Sequence, residues 1–362
     1  MNILIVGAGP TGLTAAVELS RRGYHPTLIE QRDTPSVLSR AVGIQARSME
    51  LLRPSGVAAA IAEEAVEIHG VVLHQSTGQS TGQGIGQSTE PIARLDLGKT
   101  PEARLYGLAQ DRTEAHLLNA LALHGITVRR GVRFLGLTED DLGVTVETSA
   151  GRDRYDYVIG ADGVGSAVRD ALKLPYFGKT LARTWSIADV DAVNWPDPGW
   201  YHGFVLQDGG LAVVVPLGAS RFRVIANTPD ALAALPRPME VLEIHDTGTF
   251  EIQVRQVEHY QVGRVFLAGD AAHCHAPIGG WGMNLGIADA ADLAKRLATQ
   301  TTGGYARARR MEGAHAIEMS ERLRQSMAVD TPKKQALADA ALKLVGNFPP
   351  LAEAVGRQFY YA

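Results

Sequence analysis

The chain has 362 residues, with 35 Lys and Arg against 39 Asp and Glu, for a formal net charge of −4. Hydrophobic residues at 45% and charged residues at 20% supply core for about two domains and exclude disorder over most of the chain. The mild acidity argues against a nucleic-acid partner, and the single cysteine, Cys274, excludes an intramolecular disulfide. No run approaches the roughly 18 unbroken apolar residues of a membrane helix, so the expectation is a cytoplasmic protein with no membrane partner. Glycine is the one excess, at 39 residues, and its placement carries the reading.

Ile3-Leu4-Ile5-Val6 reads as a strand buried on both faces, as in a parallel sheet. Met1 and Asn2 carry no basic side chain, and glycines break the apolar run, so the segment does not read as a secretion signal. Leu13, Ala16 and Val17 then recur at helical spacing, Gly23 closes the helix, and Thr27-Leu28-Ile29 forms a second strand ending at Glu30. The turn between them is Gly7-Ala8-Gly9-Pro10-Thr11-Gly12. In such a β-α-β unit the first glycine allows the tight turn and the second lets a pyrophosphate approach the backbone. The third lets helix and strand pack closely. The helix N-terminus offers unpaired N–H groups to phosphate, and an acid at the end of the second strand suits ribose hydroxyls. Glu30 therefore favours NAD or the adenosine half of FAD over NADP at this place, without choosing between the first two.

Two further strands run into glycine. Tyr157-Val158-Ile159 leads into Gly160-Ala161-Asp162-Gly163-Val164-Gly165-Ser166 and a helix carrying Arg169. Val265-Phe266-Leu267 leads into Gly269-Asp270-Ala271-Ala272-His273, then Pro277-Ile278-Gly279-Gly280-Trp281-Gly282-Met283-Asn284 and a helix with a buried stripe of Ala290, Leu293, Ala294 and Leu297. Three such turns imply one extended ligand or two ligands that meet.

These segments resemble those of the flavin-dependent aromatic hydroxylases, the single-component flavoprotein monooxygenases typified by para-hydroxybenzoate hydroxylase. Arg40-Ala41, ahead of Arg47–Leu52, and Gln110, ahead of Arg112-Thr113-Glu114, add two smaller matches in the family's order. Together they cover residues 1 to about 300. The resemblance implies FAD as cofactor and NADPH or NADH as co-substrate. Gly7, Gly9, Gly12 and Glu30 would hold the ADP half, and Arg40 and Gln110 the pyrophosphate and flavin side. Asp162 and Arg169 belong to the motif associated with FAD and the nicotinamide donor. Asp270 would bond the ribityl chain, the backbone of Gly282, Met283 and Asn284 would face the flavin pyrimidine edge, and Pro277 would lie beside the reacting carbon. It also implies the family's reaction: a flavin hydroperoxide, formed with O2, hydroxylates an aromatic, phenolic or polyketide-like small molecule. Other chemistries on the same fold, a halogenase, a reductase or a non-catalytic redox sensor, are the alternatives.

The fold class expected from the resemblance is α/β. A Rossmann-like FAD-binding domain (1–72, 99–175 and 263–300) carries an inserted antiparallel-sheet substrate domain (73–98 and 176–262). A C-terminal helical segment (301–362) follows, with no sign of the thioredoxin-like domain of some longer relatives. Residues 75–89, with three Gln-Ser-Thr units, read as a flexible polar loop, with a cover over the substrate as the sharper alternative. His273-Cys274-His275 is not expected to bind metal, since adjacent residues point apart and zinc sites need paired spacing. Trp185, Tyr201, His202 and Phe204 read as core or sheet surface rather than ligand contacts. No residue stands out as the base that would deprotonate a phenol, and oligomeric state is left open.

Overall fold

The computed structural model describes residues 1–35, 41, 43–75, 91–96, 104–206, 210–277 and 280–327. Arg40, the polar loop and the tail beyond 327 lie outside the described residues.

The first glycine turn sits where the sequence puts it. Strand β1 (Ile3–Val6) is buried at all four positions and enters helix α1 (Pro10–Ser20), which leads to β2 (Thr27–Glu30). These strands lie at the centre of a sheet ordered β18-β19-β12-β1-β2-β8, where β8 is Val128–Arg130, β12 Tyr157–Gly160, β18 Gln261–Val262 and β19 Val265–Leu267. Neighbours from β8 to β19 pair in parallel, so three chain segments far apart in sequence point their C-terminal ends the same way. In an open α/β sheet ligands bind outside those ends. Helix α1 packs on α6 (Trp281–Ala298) and α4 (Gln110–Leu123), and Ala290, Leu293, Ala294 and Leu297 of α6 are buried. Burying apolar surface on both faces of the sheet is the main stabilising term, at roughly 25 cal/mol per Å².

A second sheet of eight strands lies alongside, ordered β20-β17-β13-β16-β15-β14-β5-β6. Its members are β5 (Gly70–Gln75), β6 (Pro91–Asp96), β13 (Tyr176–Val193), β14 (Trp200–Val205), β15 (Leu211–Pro216), β16 (Arg221–Ala226), β17 (Glu240–Val257) and β20 (His273–Cys274). The alternation of apolar and polar residues read across 185–255 is this sheet. All its pairs are antiparallel except β14 with β5, because β5 arrives from a distant segment rather than through a hairpin. One face carries Val190, Phe204, Val214, Phe222 and Val224 into a core of its own; the other presents Trp185, Ile187, Ile225 and Ile252.

Two three-stranded sheets complete the strands: β3 (Ile44–Gln45), β7 (Leu105–Gly107) and β4 (Val66–Ile68), and β9 (Phe134–Asp140), β10 (Gly143–Thr148) and β11 (Gly151–Tyr155). Helices α2 (Ala46–Leu52), α3 (Val57–Glu64) and α5 (Ala167–Ala171) fill the connections, and α7 (Tyr305–Met327) packs on α6 and β17. Among the described residues no helix is long and apolar enough to cross a membrane.

Candidate active site

Helix α1 begins hard against β1. A Cβ on Gly12 would sit 1.9 Å from the carbonyl oxygen of Gly7, so only glycine allows the helix this close. Gly7, at φ +102°, passes under the next motif: a Cβ there would lie 2.4 Å from the Ala161 carbonyl oxygen. Gly9 is different. A Cβ there meets nothing within 4 Å, so its exposed backbone faces open space. That space is a cleft of about 320 Å³. Its floor is Gly9, Pro10 and Thr11 from the first turn, Ala161, Gly163 and Val164 from the second, and Asp270, Pro277, Gly280, Gly282 and Met283 from the third. Gln110 and Ala41 also line it, as do Ile225, Phe250, Glu251, Ile252 and Gln253 of the second sheet. The three motifs therefore converge, and the N-terminal ends of α1 and of α6, the latter opened by Gly280 at φ +67°, both border the cleft.

The remaining expected residues stand behind this lining. Glu30 is buried and accepts from the Ala8 N–H at 2.9 Å and from the N–H and Nε of Arg32 at 3.0 and 3.1 Å. Burial opposes its ionisation, but these bonds prevail and hold its pKa below the ordinary glutamate value. Asp162 turns into its own loop, accepting from Ser166 Oγ and from the Val168 N–H, and burial raises its pKa. Arg169 is buried and ties the second motif to the third: it donates to the Val164 carbonyl at 2.9 Å and the Ala271 carbonyl at 3.3 Å. Its guanidinium lies 4.1 Å from the centre of the Tyr176 ring, and the Tyr176 hydroxyl donates to the Asp270 carbonyl at 2.8 Å. The Asn284 side chain accepts from the Gln45 N–H at 2.9 Å and donates to the Gly43 and Gly280 carbonyls, fixing β3 against α6.

Other groups come into view only in three dimensions. Arg223 makes a two-point bond to Asp189 at 2.5 and 2.6 Å inside the second sheet and donates to the Ala41 carbonyl at 3.0 Å, anchoring the cleft's edge. His275 lines the cleft. Its Nδ1 lies 2.8 Å from the Ala276 carbonyl, which only accepts, so Nδ1 carries the proton. Burial pulls the His275 pKa down to about 4, keeping the ring neutral near pH 7, and pushes the Cys274 thiol up to about 11. His273 faces Asp289 instead, with its Nε2 2.7 Å from the carboxylate. Trp185, His202 and Phe204 are buried and Tyr201 is half-buried. Arg309 of α7, beneath the third motif, carried no signal: it lies in an Arg-rich amphipathic stretch.

A family model described as an FAD binding domain matches residues 1–231 and 228–324. The chain belongs to this FAD-binding family. Membership accords with the resemblance to the single-component FAD-dependent aromatic hydroxylases. Pentachlorophenol 4-monooxygenase of Sphingobium chlorophenolicum is 32% identical over 83% of this chain and 59% of its own length. 6-Methylpretetramide 4-monooxygenase of Streptomyces rimosus is 32% identical over 100% of this chain and 66% of its own. The chain thus spans about three fifths to two thirds of the length of these curated relatives. The solved p-nitrophenol 4-monooxygenase of Pseudomonas putida DLL-E4 superposes with a TM-score of 0.85 over 99% of this chain and 96% of that one; at 23% identity the likeness is one of fold. FAD is the family's cofactor, and the cleft suits it: Gly9 leaves room where a pyrophosphate approaches backbone, and two helix N-termini face the same space.

Proposed function

We propose that this flavoprotein is a monooxygenase that uses NADH or NADPH and O2 to hydroxylate an electron-rich aromatic ring of phenolic or polyketide type. One oxygen atom enters the product and the other leaves as water. The observation that carries the reading is the convergence of three glycine-bearing turns on one cleft, faced by a second sheet that presents Ile225, Phe250 and Ile252 beside Glu251 and Gln253. FAD bound there supplies the electrons from the nicotinamide and the activation of O2.

In this reading the chain's residues bind, orient and exclude water. Gly9 and the first turn of α1 receive the pyrophosphate, while Gly7 and Gly12 let that turn close tightly enough to present them; Arg40 lies outside the described residues and keeps its role as an expectation. The Glu30 carboxylate, held ionised, accepts from ribose. Asp270 lines the cleft where the ribityl chain would run, and Gln110 borders it from α4. Asp162 and Arg169 act indirectly, by fixing the second and third turns. The N–H groups at Gly282 and Met283, at the N-terminal end of α6, favour negative charge on the pyrimidine edge, with Asn284 locking that helix end in place. Pro277 and the wall of Ile225, Phe250 and Ile252 enclose the ring to be hydroxylated and keep water from it. A cytoplasmic location, with its supply of NADH and NADPH, belongs to the same reading.

The test is oxidation of NADH and NADPH by the FAD-loaded protein with a panel of phenols and fused-ring polyketides under oxygen-18 gas, with peroxide followed alongside. The expected result is faster oxidation with at least one compound, little peroxide, and one labelled oxygen in the product. Absence of label in every product would refute the reading.

A further inference from the structure

We propose that Arg309, on helix α7, is a positioning residue of the cofactor site: its ion pair with Asp289 anchors that carboxylate beneath the Gly269–Ala271 turn and so keeps Asp270 in the cleft. The inference rests on the reading that this turn holds the cofactor.

Asp289, on α6, is fully buried. One of its carboxylate oxygens accepts from the Gly269 N–H at 2.9 Å and lies 2.7 Å from His273 Nε2. The other accepts from Arg309 Nε at 2.5 Å. Gly269, at φ +61°, starts the single turn that carries Asp270 to the cleft. The N–H that fixes this turn is therefore held by a carboxylate whose guanidinium partner comes from α7. Burial alone would raise the Asp289 pKa, yet Arg309 and then His273 hold it at about 2. Glu312 completes the chain, 2.8 Å from Arg309 and 3.3 Å from Arg47 of α2.

A buried carboxylate depends on its counter-charge, and a charge-assisted bond to an N–H is stronger than a neutral one. Without Arg309 the buried Asp289 charge is uncompensated, and α6 and the turn above it must shift to relieve it, which displaces Gly269. Arg309 is not itself among the residues that line the cleft, so its effect on cofactor passes through Asp289.

The experiment compares R309M, R309K, D289N and the double variant R309M/D289N. FAD affinity is read by quenching of flavin fluorescence, the visible circular dichroism of bound FAD reports its surroundings, and the melting temperature of the cofactor-free protein is taken in parallel. R309M is expected to weaken FAD binding roughly tenfold or more and to change the dichroism. The double variant removes both charges, while the amide oxygen that replaces the carboxylate still accepts from the Gly269 N–H, so it should bind within about threefold of wild type. R309K, which keeps the charge with one donor geometry lost, should fall between; it decides the matter if R309M does not fold. R309M binding FAD as wild type does, even with a lowered melting temperature, overturns the proposal, as does R309K binding more weakly than R309M or, where R309M does not fold, losing tenfold or more. A double variant as weak as R309M overturns it too. Wild-type protein that takes up no FAD would instead refute the cofactor reading itself.

Discussion

Two glycines three residues apart make opposite predictions, which separates folding from cofactor binding. Gly12→Ala brings a methyl to 1.9 Å from the Gly7 carbonyl oxygen, where Cβ contacts below 3.0 Å essentially never occur. Backbone must therefore move by about 1.1 Å at least. Overpacking against side chains costs about 1–3 kcal/mol, and rigid backbone puts this case at or above the top of that range, against a total stability of roughly 5–15 kcal/mol. Gly9→Ala meets no protein atom, and Gly9 sits at φ −79°, which alanine adopts freely. Its poorer capping, about 0.5 to 1 kcal/mol, is offset by a similar gain from a less flexible unfolded chain. The cofactor-free melting temperature of Gly9→Ala should stay within about 3 °C of wild type, whereas Gly12→Ala should melt well below it or fail to fold. The methyl at residue 9 stands where the pyrophosphate must come, so FAD affinity should fall by about 1–3 kcal/mol, roughly 5- to 150-fold. Thermal melts with and without FAD, and a flavin fluorescence titration, measure both. Gly9→Ala with wild-type FAD affinity would mean that the pyrophosphate does not lie against the first turn.

Arg223→Met leaves the buried Asp189 carboxylate with only the longer, 3.4 Å contact to Arg221; denaturant unfolding should show a loss of about 3 kcal/mol, largely recovered in R223M/D189N, and an unrecovered loss would refute the charge argument. Arg169→Met removes the tie between the second and third turns and should weaken FAD binding several-fold while the flavin still docks; unchanged affinity would assign Arg169 to stability alone. His202 gives a pH prediction. Burial, with neighbouring His74 adding to it, drops the folded pKa to about 4 from an unfolded value near 6.5. Above pH 6.5 the ring is neutral in both states and contributes nothing. Between 6.5 and 4 the unfolded chain takes up a proton that the folded one does not, so stability falls as pH falls, by about 3 kcal/mol in all. His202→Asn should flatten that part of the stability profile; an unaltered slope would show that His202 does not stay neutral in the fold.

The parts legible beforehand were those that local rules fix. Ile3–Val6 is apolar at every position because both sheet faces are covered, and the Gly7–Gly12 spacing encodes a turn that only glycines can make. The stripe at Ala290, Leu293, Ala294 and Leu297 follows from helical periodicity. Asp162 was legible as a motif residue but not in its action, since nothing local says that its carboxylate turns back to Ser166 and Val168. The same holds for Asn284, whose partners Gly43 and Gln45 lie some 240 residues away in the chain.

Sequence by itself thus determined the chemistry on offer: three strand-to-glycine turns, an acid after the second strand, and an apolar alternating stretch for the facing wall. These depend on backbone sterics and short-range periodicity, which act between near neighbours. Only the tertiary structure decided that the three turns share one cleft, that Arg223 bridges Asp189 to Ala41, and that Arg309 stands under Gly269 through Asp289. Burial and charge pairing depend on which distant side chains arrive together, and an Arg on an Arg-rich helix looks the same in sequence whether it ends in water or against a buried carboxylate.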